Sequence, residues 1–151
     1  MILNRQRAVR LARRPLELFL HRVWDELGLE DAEVAICLVS DAEIARMNES
    51  FRGKKGPTDV LSFPAAKRAK LAGIPIRRGR RNSLKRKYLG DVAISPATAR
   101  RNAKTYGRTL GNEIRILILH GVLHLLGYDH ETDRGAMNRL EQILRRRLGL
   151  A

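Results

Sequence analysis

The sequence predicts an α+β fold: one domain, 1–151, in which a small mixed β-sheet is packed by several helices around one buried central helix. Three observations carry this expectation. Apolar runs of strand length alternate with amphipathic runs of helix length, as they do in domains of mixed class. Residues 111–126 form a helix-length segment that is apolar nearly all round, which belongs in the middle of a fold rather than on its surface. No internal repeat and no linker divides the 151 residues, a length that suits one core.

The elements follow in order. Residues 2–11 read as a first strand. Arg14-Pro15 opens a helix to about Leu27, with proline at a tolerated first-turn position and Leu16, Leu20, Val23, Trp24 and Leu27 on one face. Gly28 stops it. Glu33 to Val39 is a buried strand by its β-branched content, with Cys37 as a small core residue within it. Ser40-Asp-Ala-Glu43 is a capping box that starts a helix to about Ser50. Residues 52–58 are a turn-rich loop, and Asp59 to Phe63 is a short strand ended by Pro64. Tyr88 to Ile94 is another strand, and Ser95-Pro96 caps a helix to about Lys104. After the apolar helix, an amphipathic helix over about 133–148 turns Met137, Leu140, Ile143, Leu144 and Leu148 inward.

Charge narrows the function. Thirty Lys and Arg against sixteen Asp and Glu leave a net +14, an excess that repels itself in a compact chain and answers to a polyanion, most often nucleic acid or an anionic membrane surface. Ten of those cations, with no Asp or Glu, fall within residues 67–87, read as a basic insertion loop; without it the chain carries only +4. Membrane insertion is not expected. The longest apolar stretch, Ile114 to Gly127, contains Arg115 and two histidines and is shorter than the roughly 20 residues a span requires. The N-terminal MILNRQRAVRLARR has no apolar h-region, so a cytoplasmic location is expected.

Three of the four histidines lie within eleven residues, His120-Gly-Val-Leu-His124-Leu-Leu-Gly127-Tyr-Asp-His130. Positions four apart share a helix face, which lets His120 and His124 converge on one ion. Six further helical residues would rotate His130 about 240° away, but Gly127 accepts the left-handed conformation that ends helices and so lets the chain turn back. Three imidazoles with an open fourth position are the donor set of catalytic zinc, one ion per chain, at the end of the buried central helix. The spacing is that of the metzincin proteases, with Gly121 where those enzymes carry their glutamate base. Peptide hydrolysis by that route is disfavoured.

The segment His120–His130 resembles the signature of the YbeY family, bacterial endoribonucleases and rRNA maturation factors. Three further blocks agree in order: Asn48-Glu-Ser-Phe-Arg52, Thr58-Asp-Val-Leu-Ser-Phe-Pro64 and Gly90-Asp-Val-Ala-Ile-Ser95. The resemblance implies zinc held by His120, His124 and His130, cleavage of single-stranded RNA, and a role in maturing the 3′ end of 16S rRNA and in ribosome quality control. Its implied partners are rRNA and ribosomal particles. It also implies that Arg52 works in the active-site cleft, where a guanidinium can hold a phosphate oxygen and stabilise charge at phosphorus. Asp59 and Ser62 read either as active-site groups or as organisers of the nearby turn and strand. Asp129 reads as a partner for an imidazole N–H or as a turn residue. Glu113, two turns before His120, is too distant along the helix to be the base. The stretch 67–87 departs from the family, whose corresponding connection is shorter and less basic. A competing reading is a ribosome-associated assembly protein with a structural zinc.

Overall fold

The computed structural model describes residues 1–65, 87–128 and 134–150. Among the described residues four strands form one mixed sheet: β1 (Ile2–Asn4), β2 (Ala32–Leu38), β3 (Val60–Pro64) and β4 (Lys87–Ile94), in the spatial order β1-β2-β4-β3. β1 and β4 run parallel to β2, and β3 is antiparallel to β4. The described helices are α1 (Arg13–Leu27), α2 (Asp41–Arg52), α3 (Pro96–Tyr106), α4 (Leu110–Leu125) and α5 (Ala136–Arg147). The α+β class and the mixed sheet expected from the sequence are both present.

The side-chain period of two sorts the sheet into two faces. Val34, Ile36 and Leu38 of β2, with Val92 and Ile94 of β4, join one core with α1, α4 and α5. The alternate positions Ala93 of β4 and Leu61 of β3 pack with Val39 and with Ile44 of α2 in a smaller cluster. Helix α4 is the centre of the larger core, burying Ile114, Ile118, Leu119, Val122 and Leu123 against the sheet and α1. No helix among the described residues is long and apolar enough to cross a membrane.

Local signals were accurate where a specific bond enforces them. Ser40 Oγ accepts from the Glu43 amide at 3.1 Å, and Gly28 and Gly53 end α1 and α2 in the left-handed region at φ 66° and 65°. Other expectations need correction. The first strand is three residues long, not ten, because the Gln6 amide bonds Asn4 Oδ1 and the backbone of Val9 and so folds the chain into a turn. Arg52 closes α2 rather than opening the loop, and Lys87 belongs to β4 rather than to the basic connection. The remainder of that connection, through residue 86, lies outside the described residues. Cys37 is only half-buried, on the thinner side of the sheet beside Val39. Ile143 is 47% exposed, because the stripe that packs inward on α5 is Met137, Glu141 and Leu144, continued by Leu148. Ile143 stands one helical step, about 100°, off that stripe.

Candidate metal centre

The N-terminus of α4 is set by Thr109, whose Oγ1 accepts from the Asn112 amide at 3.1 Å. Sixteen residues later the helix ends at Leu125, and Gly127 takes φ 98° while the Tyr128 amide bonds back to the Leu123 carbonyl at 3.1 Å. The left-handed residue that the sequence required at this end is therefore present. On the last turns of α4, His120 Nε2 and His124 Nε2 face each other 3.1 Å apart. Their rings meet nearly edge to face, with centroids at 4.7 Å.

Two nitrogens bound to one tetrahedral ion at about 2.0–2.1 Å each lie roughly 3.3–3.4 Å from one another. The observed separation is within a few tenths of that value, so the donor pair fits a zinc ion. With a proton on His124 Nε2 the same contact is a hydrogen bond to His120 Nε2, and a bound cation would take the place of that shared proton. Among the described residues no group of three His, Cys, Asp or Glu gathers around a point. The third expected ligand, His130, and its neighbour Asp129 lie outside the described residues.

Glu141, from α5, was not singled out in the sequence. Its Oε1 lies 3.1 Å from His120 Nδ1 and its side chain is 9% exposed. A carboxylate at Nδ1 selects the tautomer whose proton is on that nitrogen, leaving Nε2 with a lone pair for a metal. Burial raises the Glu141 carboxyl, but the hydrogen bond and charge of His120, with smaller contributions from Arg145 and His124, hold it below the usual carboxylate value. The signal for it existed. A glutamate between Met137 and Leu144 on an inward helix stripe requires a polar partner.

Gly121 has a steric reason to be glycine. A Cβ there would lie 2.6 Å from Val92 Cγ1, 3.0 Å from Val92 Cγ2 and 3.3 Å from Ser62 Oγ. This face of α4 rests directly on β3 and β4, so the glutamate that metzincins carry after their first histidine has no room. Ser62 uses the same close approach, donating from Oγ to the Gly121 carbonyl at 3.2 Å and tying β3 to α4. Asp59 accepts from Asn102 Nδ2 at 3.1 Å, and its own carbonyl accepts the Ser95 amide at 3.0 Å. The geometry thus gives both residues an organising task beside the centre.

Arg52 is exposed at the end of α2, and no hydrogen bond or ion pair among the described residues joins it to the histidines. The side chain of Asn48, one turn earlier, donates to the Gly56 carbonyl at 3.0 Å and anchors the loop that follows Arg52. Glu113 is buried and ion-paired with Arg108 Nη1 at 2.9 Å, which commits its carboxylate to that partner. Both residues line a cleft of about 330 Å³ that also reaches His120 and Glu141.

Residues 1–149 match the family described as Endoribonuclease YbeY. Among curated relatives, an endoribonuclease YbeY of Solibacter usitatus is 44% identical over 146 residues, spanning 96% of this chain and 86% of the relative. That of Koribacter versatilis is 38% identical over 150 residues, spanning 99% and 86%. A Thermotoga maritima protein with a solution structure matches at a TM-score of 0.60 and 26% identity, over 98% of this chain and 89% of that one.

Proposed function

The chain belongs to the YbeY endoribonuclease family, and on that premise we propose that it is a zinc-dependent endoribonuclease that cleaves single-stranded RNA during rRNA maturation. The observation that carries the metal assignment is the pair of Nε2 atoms, 3.1 Å apart, with a carboxylate fixing the tautomer of one of them. In this reading His120, His124 and His130 hold the ion. Zinc, when bound, supplies a Lewis acid that polarises a phosphate oxygen or lowers the pKa of water.

The chain's own residues do the rest. Glu141 keeps the proton of His120 on Nδ1, so the ring presents a lone pair at Nε2 and does not rotate. Ser62 and the close seat of Gly121 fix α4 against the sheet, which fixes the spacing of the two imidazoles. Arg52 receives the phosphate: its planar fork holds two oxygens and stabilises charge that develops at phosphorus. With Gly121 excluding a glutamate from the metzincin position, the nucleophile's proton leaves by another route, and the RNA 2′-OH is a nucleophile that the substrate brings with it. The basic stretch 67–87 neutralises phosphates beyond the cleft. The substrates are rRNA within ribosomal particles, notably the 3′ end of 16S rRNA, in the cytoplasm.

Cleavage of a labelled single-stranded RNA by purified protein tests the proposal. Wild type cleaves, added chelator and His124→Ala abolish cleavage, and Arg52→Ala keeps zinc and fold while losing it. Arg52→Lys restores only part, because a point charge lacks the bidentate fork. Equal cleavage by His124→Ala and wild type would refute the metal's role, and normal cleavage by Arg52→Ala would refute that of the arginine.

A further inference from the structure

The cleft beside His120 is lined by the start of β3, the end of α3 with the turn after it, and residues along α4 and α5, and contains groups that the metal centre does not use. Tyr106, the last residue of α3, is 64% exposed, and the Arg108 guanidinium covers one face of its ring 5.0 Å from the centroid. Arg108 is held in that place by the buried carboxylate of Glu113 at 2.9 Å. The cleft is also lined by Arg145 of α5, whose side chain is 18% exposed and pairs with Glu141 at 4.0 Å. Glu141, its ion-pair partner, also bonds His120 Nδ1 at 3.1 Å. The other carboxylates of the cleft are likewise committed: Asp59 accepts from Asn102, and Glu113 pairs with Arg108.

A large aromatic ring left open to water costs free energy unless something covers it. Here an ion pair anchors a guanidinium under the ring, which stiffens a flat platform at the mouth of a cleft that reaches the metal ligand. The positive charge of Arg145, which also lines the cleft, is the complement of an anion. A flat π surface and a cation across one cleft match the base and phosphate of one nucleotide. A cleft of about 330 Å³ falls at the small end of the range for ligand pockets, enough for a nucleotide but not for a helix or a duplex.

We propose that this cleft seats one nucleotide of single-stranded RNA next to the scissile bond, its base stacked on Tyr106 and its phosphate directed to Arg145. The proposal rests on the endoribonuclease reading and adds to it a subsite that holds an unpaired base. Stacking on a ring tolerates any base, so the site selects for single strands rather than for sequence. A base retained in a duplex cannot reach the ring.

The test is binding, read by fluorescence anisotropy of a labelled single-stranded oligonucleotide with the full chain stripped of metal. Tyr106→Leu weakens binding about 5- to 30-fold, and Tyr106→Phe stays within about twofold, since the ring and not the hydroxyl carries the contact. An oligonucleotide abasic at every position costs wild type at least that same factor and costs Tyr106→Leu nothing, since only wild type has a stacked base to lose. Arg145→Gln lowers affinity for both oligonucleotides alike, because the phosphate contact does not depend on the base. Tyr106 is exposed, and unchanged far-ultraviolet circular dichroism verifies that the variant folds. Binding by Tyr106→Leu equal to that of wild type, or an abasic cost that persists in that variant, overturns the platform. RNA cleavage measured beside it separates the two readings. A wild type that binds through Tyr106 without cleaving fails as a nuclease only, and one that cleaves with no dependence on Tyr106 fails the subsite only.

Discussion

Replacing Gly121 by alanine tests whether α4 is seated on the sheet as closely as the structure has it. On helix propensity alone the substitution should stabilise, by about 1 kcal/mol in a helix interior. The added methyl, however, would lie 2.6 and 3.0 Å from the two γ-carbons of Val92, against an optimum of roughly 3.5–4.0 Å between carbons. Val92 is fully buried in the sheet and stiff at χ1, so it cannot rotate aside, and α4 must rise by close to an ångström. Overpacking of this kind costs about 1–3 kcal/mol. Combined with the propensity gain and the partial loss of the Ser62 bond, the expected net is a destabilisation of about 1–2 kcal/mol. For a chain of this length that lowers Tm by roughly 2–8 °C. Urea unfolding and thermal melting of metal-free protein measure it without the contribution of bound zinc. The double variant Gly121→Ala/Val92→Ala should lose at least 1 kcal/mol less than the sum of its singles, because the smaller side chain opens the space. A Tm equal to or above wild type, or an additive cycle, would show that the close seat of α4 is not what constrains this position.

Three other outcomes are expected. Glu141→Gln should weaken zinc affinity about 10–100-fold in competition with a chelating dye, since the amide no longer enforces the His120 tautomer; unchanged affinity would remove Glu141 from the centre. Asp41 joins the starts of α2 and α3, accepting from Ser95 Oγ at 2.5 Å, Thr98 Oγ1 at 2.7 Å and Arg101 Nη2 at 2.9 Å. Burial raises its carboxyl, but these bonds outweigh burial and hold it below its ordinary value of 3.8, so its contribution is present at neutral pH and is lost as pH falls through and below that value. Asp41→Asn should therefore cost about 1 kcal/mol at pH 7 and progressively less below pH 4, and a cost independent of pH would contradict the linkage. Shortening the connection between Ala66 and Tyr88 should flatten the log–log salt slope of RNA binding by about 0.7 for each phosphate it neutralises while leaving zinc content intact, whereas an unchanged slope would leave the stretch without contact to RNA.

The sequence made legible whatever a short, local interaction decides. Ser40 with Glu43, Ser95 with Pro96, and the glycines at 28 and 127 each act within a few residues, and the elements they bound appear where expected. The buried helix announced itself by being apolar on every side, and the spacing of its two histidines announced that their rings would share one face and meet. What was missed depends on contacts distant in sequence. The first strand ends early because Gln6 folds back on Asn4 and Val9, a side-chain choice that periodicity does not register. Glu141 lies on the inward stripe of α5, but which polar group it meets is decided only when α5 packs against α4 and its carboxylate reaches His120, 21 residues away in sequence. Tyr106 and Arg108 likewise acquire meaning only once Glu113 and the cleft are in place. Gly121 was legible as a missing base, but its steric cause required Val92 on the facing strand.

Zinc content of the three histidine variants bears most directly on the central claim, that His120, His124 and His130 hold one catalytic ion. Wild type, expressed in zinc-supplemented medium and dialysed, should retain about one zinc per chain by elemental analysis. His120→Ala, His124→Ala and His130→Ala should each lose most of it while keeping the circular dichroism of the folded chain. Full zinc in any one of the three folded variants would contradict the assignment of that histidine as a ligand, and with it the account of how this chain cuts RNA.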